Sequence, residues 1–291
     1  MYSSTIISET AIRAAEQASL LELQFKADPA GRTFIARQYA DYPYHICKAQ
    51  YLDASPSGMA TLYLQSCAGG LFENDRLRFA VEAGVRTSVH LTSQASTIVH
   101  SARDAGTANQ DGTIIAMPGS LVEYLPDPLI LFPNSRLNTR LDLQLDAHAS
   151  IIACESFLLH DPFSNGGVPA LLDSRLSVRL LDGTLITRDR MRIEGDTWHA
   201  NQPGLFNGWK SYGVMLVLTS EVSCTTLCSE VRNAILLMGD VYAGASRLPA
   251  GGGVCIRFLS SGAVPLKEAM TAVWKAARKL LCGLEPFPRR K

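Results

Sequence analysis

The sequence predicts a mainly β domain of stacked, antiparallel-rich sheets with a small helical part near its C-terminal end. Three observations carry that prediction. Apolar and polar residues alternate from about residue 33 to 218, as in RLRFAVE, TRLDLQLDA and SRLSVRLLDG, the pattern of strands with one buried and one wet face. Turn-forming clusters punctuate these runs: DASPSG, DAGTANQDG, PNS, SNGGVP and DG. Helical periodicity is confined to the ends, which favours stacked sheets over strand–helix–strand units.

The elements follow in order. Residues 7–19 predict a short exposed helix within a flexible leading segment, 1–19. In SCAGGLFENDRLRFAVEAG, Gly69-Gly70 marks a turn and Glu73-Asn74-Asp75 an acidic loop. Leu77, Phe79 and Val81 then face one way, and Arg76, Arg78, Ala80 and Glu82 the other. In GSLVEYLPDPLILFPNSRL, Pro126 and Pro128 prevent regular ladder pairing and set Asp127 in a fixed backbone frame. That stretch reads either as a rigid corner or as a carboxylate aimed at a partner or an internal channel. Residues 221–239 have helical spacing with Gly239 as the cap, and PAGGG reads as a hairpin turn. Residues 265–282 form the clearest helix. Leu266, Ala269, Met270, Val273, Trp274, Ala277, Leu280 and Leu281 make its apolar stripe, with Lys267, Glu268, Lys275, Arg278 and Lys279 mostly opposite. Pro265 suits the first turn and Gly283 the cap. No composition shift divides the chain, so 1–291 reads as one domain, without an internal repeat of fixed period.

Composition narrows the function. The 27 basic and 27 acidic residues cancel, which argues against a nucleic-acid binder. No apolar run approaches a membrane span, and the N-terminus lacks the order of a signal peptide. Seven scattered cysteines are not a disulfide framework and fit a reducing cytoplasm. The phosphate-loop, dinucleotide, nucleophile-elbow and HExxH motifs are all absent, so the chain reads as a non-enzyme. The metal candidates are weak. His160-Asp161 reads first as an Asp-stabilised turn, and Cys224 with Cys228 as two small apolar residues on one helix face. His90 and His100 read as core or edge histidines.

Five stretches then occur in order: SCAGGLFENDRLRFAVEAG, HLTSQASTIVHSARD, GSLVEYLPDPLILFPNSRL, GASRLPAGGGVCIRFLS and VWKAARKLLCGLEPFPRR. Together they resemble the UreD family of urease accessory proteins, over roughly residues 34–290. Asn74 stands where that family usually has Gly, Ser93 replaces a Thr, and Ile98 a common Lys. The family's G-R-x-x-x-G-E segment has no counterpart after ACESFLLHDPFSNGGV.

The resemblance implies a fold of strands wound into stacked sheets. It implies a cytoplasmic, non-enzymatic scaffold that binds apo-urease and UreF, and through UreF the GTPase UreG. Its cargo would be transient Ni²⁺, carried through an internal passage, with no tightly bound cofactor. Motif positions nominate Asp75, Glu123 and Asp127 as passage-lining or loop-ordering acids, with Ser93 and Gln94 as polar neighbours. The alternative is a divergent β-rich interaction module with no nickel-delivery role.

Overall fold

The computed structural model describes residues 18–199, 208–236 and 238–289. The helix expected at 7–19 lies outside these residues, apart from 18 and 19. Among the described residues, seventeen strands form two facing sheets. They are β1 Ser19–Ala27, β2 Thr33–Ala40, β3 Tyr44–Ile46, β4 Ala60–Ser66, β5 Arg76–Ala83, β6 Ser88–Ser93, β7 Thr97–Val99, β8 Ala108–Ala116 and β9 Leu121–Tyr124. There follow β10 Leu129–Leu131, β11 Arg136–Leu145, β12 Ser150–Leu159, β13 Leu171–Leu180, β14 Leu185–Glu194, β15 Ser211–Leu218, β16 Val241–Arg247 and β17 Val254–Ser260. The α-helices among the described residues are α1 Cys224–Ile235 and α2 Ala263–Cys282.

The chain shuttles between the sheets. β5, β8, β11 and β13 run through the seven-stranded sheet, and β4, β6, β9 and β12 through the ten-stranded one. Short turns such as Met117–Ser120 join them. Each pass therefore lies beside the previous one in the same direction. β5, β8, β11 and β13 pair parallel, as do β4, β6, β9 and β12. The winding and the small helical part are as expected. The antiparallel preponderance is not: antiparallel pairs are confined to the flanks of each sheet. Period-two alternation reports which face is buried, not strand direction, so a parallel solenoid reads the same in sequence.

Leu77, Phe79 and Val81 point inward as expected, and the main core fills the space between the sheets. Gly112 sits beside Phe79 in register, and a Cβ there would lie 2.1 Å from the Phe79 ring. Its missing side chain gives the ring its place, and the ring reaches Tyr124 of the facing sheet. A second core forms on the outer face of the ten-stranded sheet, where α1 and α2 pack on β12, β15 and β17. α2 ends as expected, with Gly283 in the left-handed region (φ 78°) and its N–H donating to the Lys279 carbonyl. α1 is shorter than expected. It stops at Ile235, so Gly239 does not cap it. PAGGG is a short 3-10 turn joining β16 to β17, as the hairpin reading required.

Candidate functional site

The two prolines around Asp127 open a gap in the ten-stranded sheet. β12 runs unbroken from Ser150 to Leu159, pairing with β9 through Ser150–Ala153 and with β10 through Phe157–Leu159. Between β9 and β10, residues 125–128 have left the ladder, because proline has no N–H to donate. β6 and β7 break at the same level, over residues 94–96. Cys154, Glu155 and Ser156 of β12 thus border an aperture at the ends of β6 and β9, with Glu155 on the side of the facing sheet and Cys154 on the side of α2.

Three cavities share Pro126 and Asp127 as lining. One of about 280 Å³ includes Tyr44, Gln65, Ser93 and Gln94 in its wall. Another, of about 240 Å³, lies under α2 and is lined by His90, Thr92, Ser156 and Lys267 among others. A narrow one of about 50 Å³ holds Glu155, Thr139 and Tyr124. The Asp127 backbone N–H donates to Ser93 Oγ at 2.8 Å, tying the two broken strands together. Its carboxylate is 3.6 Å from Lys267 Nζ of α2. Burial pushes the half-buried Glu155 carboxyl up to about 7, against the hydrogen bond from Ser174 Oγ at 3.2 Å. Ser156 Oγ is buried with no hydrogen-bond partner among the described residues.

The other nominated residues lie elsewhere. Asp75 orders its loop: its carboxylate accepts the Phe72 N–H at 2.8 Å, and Asn74 takes the left-handed conformation that the family's usual Gly would supply (φ 66°). Glu73 braces the same loop by accepting the N–H groups of Asp104 and Arg103, which hold its carboxyl below the usual range. Asp161 accepts the Phe163 and Gly167 N–H groups, the turn expected of HDP. Cys228 is buried under α1, while Cys224 donates to the Gly251 carbonyl. Among the described residues no group of three His, Cys, Asp or Glu could hold a metal ion.

Glu123 is fully buried beneath α2. It accepts from Trp274 Nε1 at 2.8 Å, from Arg278 Nε at 2.6 Å and from His90 Nδ1 at 2.7 Å. Burial pushes the carboxyl up, but the bonds from His90 and Arg278 outweigh it and bring it down to about 2. Burial holds His90 below the usual imidazole range, so the neutral ring donates from Nδ1. The helical pattern puts Arg278 with the polar residues of α2, yet it is fully buried. Glu123 and Asp53 together supply the carboxylates that make this burial tolerable. Arg289 closes the cluster with a 2.5 Å contact to Asp53.

Motif order thus nominated Ser93, Gln94 and Asp127, which the structure places on one cavity wall, but not Glu155, Ser156 or Asp53; His90 is the core histidine expected. An acid inside the apolar run SIIACESFLL was the available signal for Glu155. The W-x-x-x-R spacing was the signal for Arg278.

Residues 17–291 match the family model described as UreD urease accessory protein. The chain belongs to the UreD family. It is 34% identical over 269 residues to the urease accessory protein UreD 1 of Pseudomonas syringae pv. tomato, covering 92% of this chain and 94% of that protein. It is 33% identical over 261 residues to UreD 1 of Methylorubrum populi, covering 90% and 88%. With UreD 2 of Streptomyces griseus it shares 30% over 273 residues, 92% of each chain. As a member of the UreD family the chain is an accessory protein of urease. No described helix is long and apolar enough to cross a membrane.

Proposed function

We propose that this protein is a non-enzymatic scaffold for urease maturation. It binds apo-urease and UreF, with UreG joining through UreF, and conducts Ni²⁺ through the aperture at Asp127. The observation that carries the reading is the interrupted sheet, at which three cavities share one carboxylate-bearing corner. A conduit must bind its cargo weakly enough to release it. Two carboxylates, Asp127 in the break between β9 and β10 and Glu155 on β12, with hydroxyl and amide neighbours, offer oxygen ligands without the closed cage of a structural site. Lys267 beside Asp127 competes with a cation for the carboxylate and so favours release.

The test is urease activation in cells whose own copy of this gene is replaced by Asp127→Ala or Glu155→Gln. Urease nickel content is expected to fall severalfold, while the variant still co-purifies with UreF and apo-urease. Normal nickel content in both variants and in a clean deletion would sink the proposal. Normal nickel in the variants but not in the deletion would move cargo transfer away from this aperture.

A further inference from the structure

The ten-stranded sheet extends beyond the seven-stranded one along a side of the sandwich. β14 is the last strand of the seven-stranded sheet. It pairs with β13, and its other edge pairs with no strand among the described residues. Facing it, β17 and β16 continue the opposite sheet outward. The step encloses a groove of about 530 Å³ whose lining includes Arg190, Arg192, Ile193, Tyr242, Arg257 and Leu259. Arg190 and Arg192 lie on the outer face of β14 and Ile193 on its inner face. The groove therefore follows the edge of β14 that pairs with no strand among the described residues.

Two features set this edge apart from one merely protected by charge. The first is anchoring. Arg175, Arg190 and Arg192 all reach the carboxylate of Asp173, which is 1% exposed, at 2.8 to 3.0 Å. Hydrogen bonds from all three arginines at 2.8 to 3.2 Å hold the guanidiniums on that carboxylate, and those from Arg190 and Arg175 hold the carboxyl far below the usual range. A gatekeeping charge needs no such anchor. The second is what lies opposite: Tyr242 is 70% exposed on the overhanging strand. Charge adds a direction. Arg140, Arg175 and Arg190 share one rung, flanked by Arg188 and Arg192, in a chain of zero net charge.

We propose that this groove takes an extended acidic segment of a partner protein as an added strand on β14. Its carboxylates would face Arg188, Arg190 and Arg192, and its alternate apolar side chains Tyr242 and Leu259. Main-chain hydrogen bonds supply affinity in such strand addition, and alternating side chains supply selectivity. A nucleic-acid backbone would use the guanidiniums but neither the free edge nor the apolar floor.

Fluorescence anisotropy on the full chain tests this with a labelled peptide of alternating glutamate and valine. The peptide is expected to bind, more weakly as salt rises. Arg188→Glu and Tyr242→Ala, both exposed and outside the Asp173 cluster, are each expected to weaken it about tenfold without changing the melting temperature. A lysine–valine peptide, and the acidic peptide N-methylated along its backbone, are expected not to bind. Equal binding of either control, tighter binding of an oligothymidine, or indifference to both substitutions would overturn the proposal.

Discussion

Glu123, fully buried, and Glu155, half-buried, are acids with opposite stability signatures. The folded-state pKa of Glu123 is depressed, so its contribution is present above the unfolded value near 4.5 and is lost as pH falls towards 2. Glu155 is raised, so its contribution is present below about 4.5 and is lost as pH rises through 7. Glu155→Gln should therefore melt progressively higher than the parent between pH 5 and 8 in a fluorescence melting series. Arg278→Ala leaves Glu123 buried with a neutral histidine and an indole N–H. It should cost about 3–5 kcal/mol in urea unfolding. Neither role could be read from single positions. The alternation marks a residue as inward, but only the strand break at 125–128 gives Glu155 a cavity, and only the docking of α2 gives Arg278 its acid.

Among elements, the strands were the most legible because each carries its own two-sided pattern, and α2 was legible to within two residues at its start. The expected α1 ran past Ile235, where the helix ends, because the apolar spacing continues in sequence beyond it. Strand direction was hidden, since it depends on which neighbour each strand meets. The glycine inside β8 is the sharpest test of sheet-to-sheet packing. Gly112→Ala forces its Cβ against the Phe79 ring and should destabilise by about 1–3 kcal/mol. In the acidic loop, Asn74→Gly should be tolerated, whereas Asn74→Val should cost about 1–2 kcal/mol because a β-branched residue resists positive φ. Chemical denaturation of the purified variants measures both.

For the whole molecule, the winding creates what no element holds alone. The aperture needs β6, β9 and β12 side by side, and these are separated by long stretches of sequence. Ser93, Gln94 and Asp127 were legible only through motif order, and their meeting only through topology. The C-terminal strap has a similar global role: Arg289 reaches back to Asp53, and the Phe287 N–H donates to the same carboxylate. Arg289→Ala should lower the melting temperature by several degrees, given about 2–4 °C per kcal/mol for a chain of this size.

The Glu123 cluster also bears on the order in which the protein can be made. β6 and β9 leave the ribosome well before residue 278. During that interval the nascent coil holds a carboxylate destined for full burial, with its guanidinium partner not yet synthesised. The middle of the solenoid therefore has reason to stay open until α2 emerges, so closure of this part of the fold is tied to the synthesis of α2.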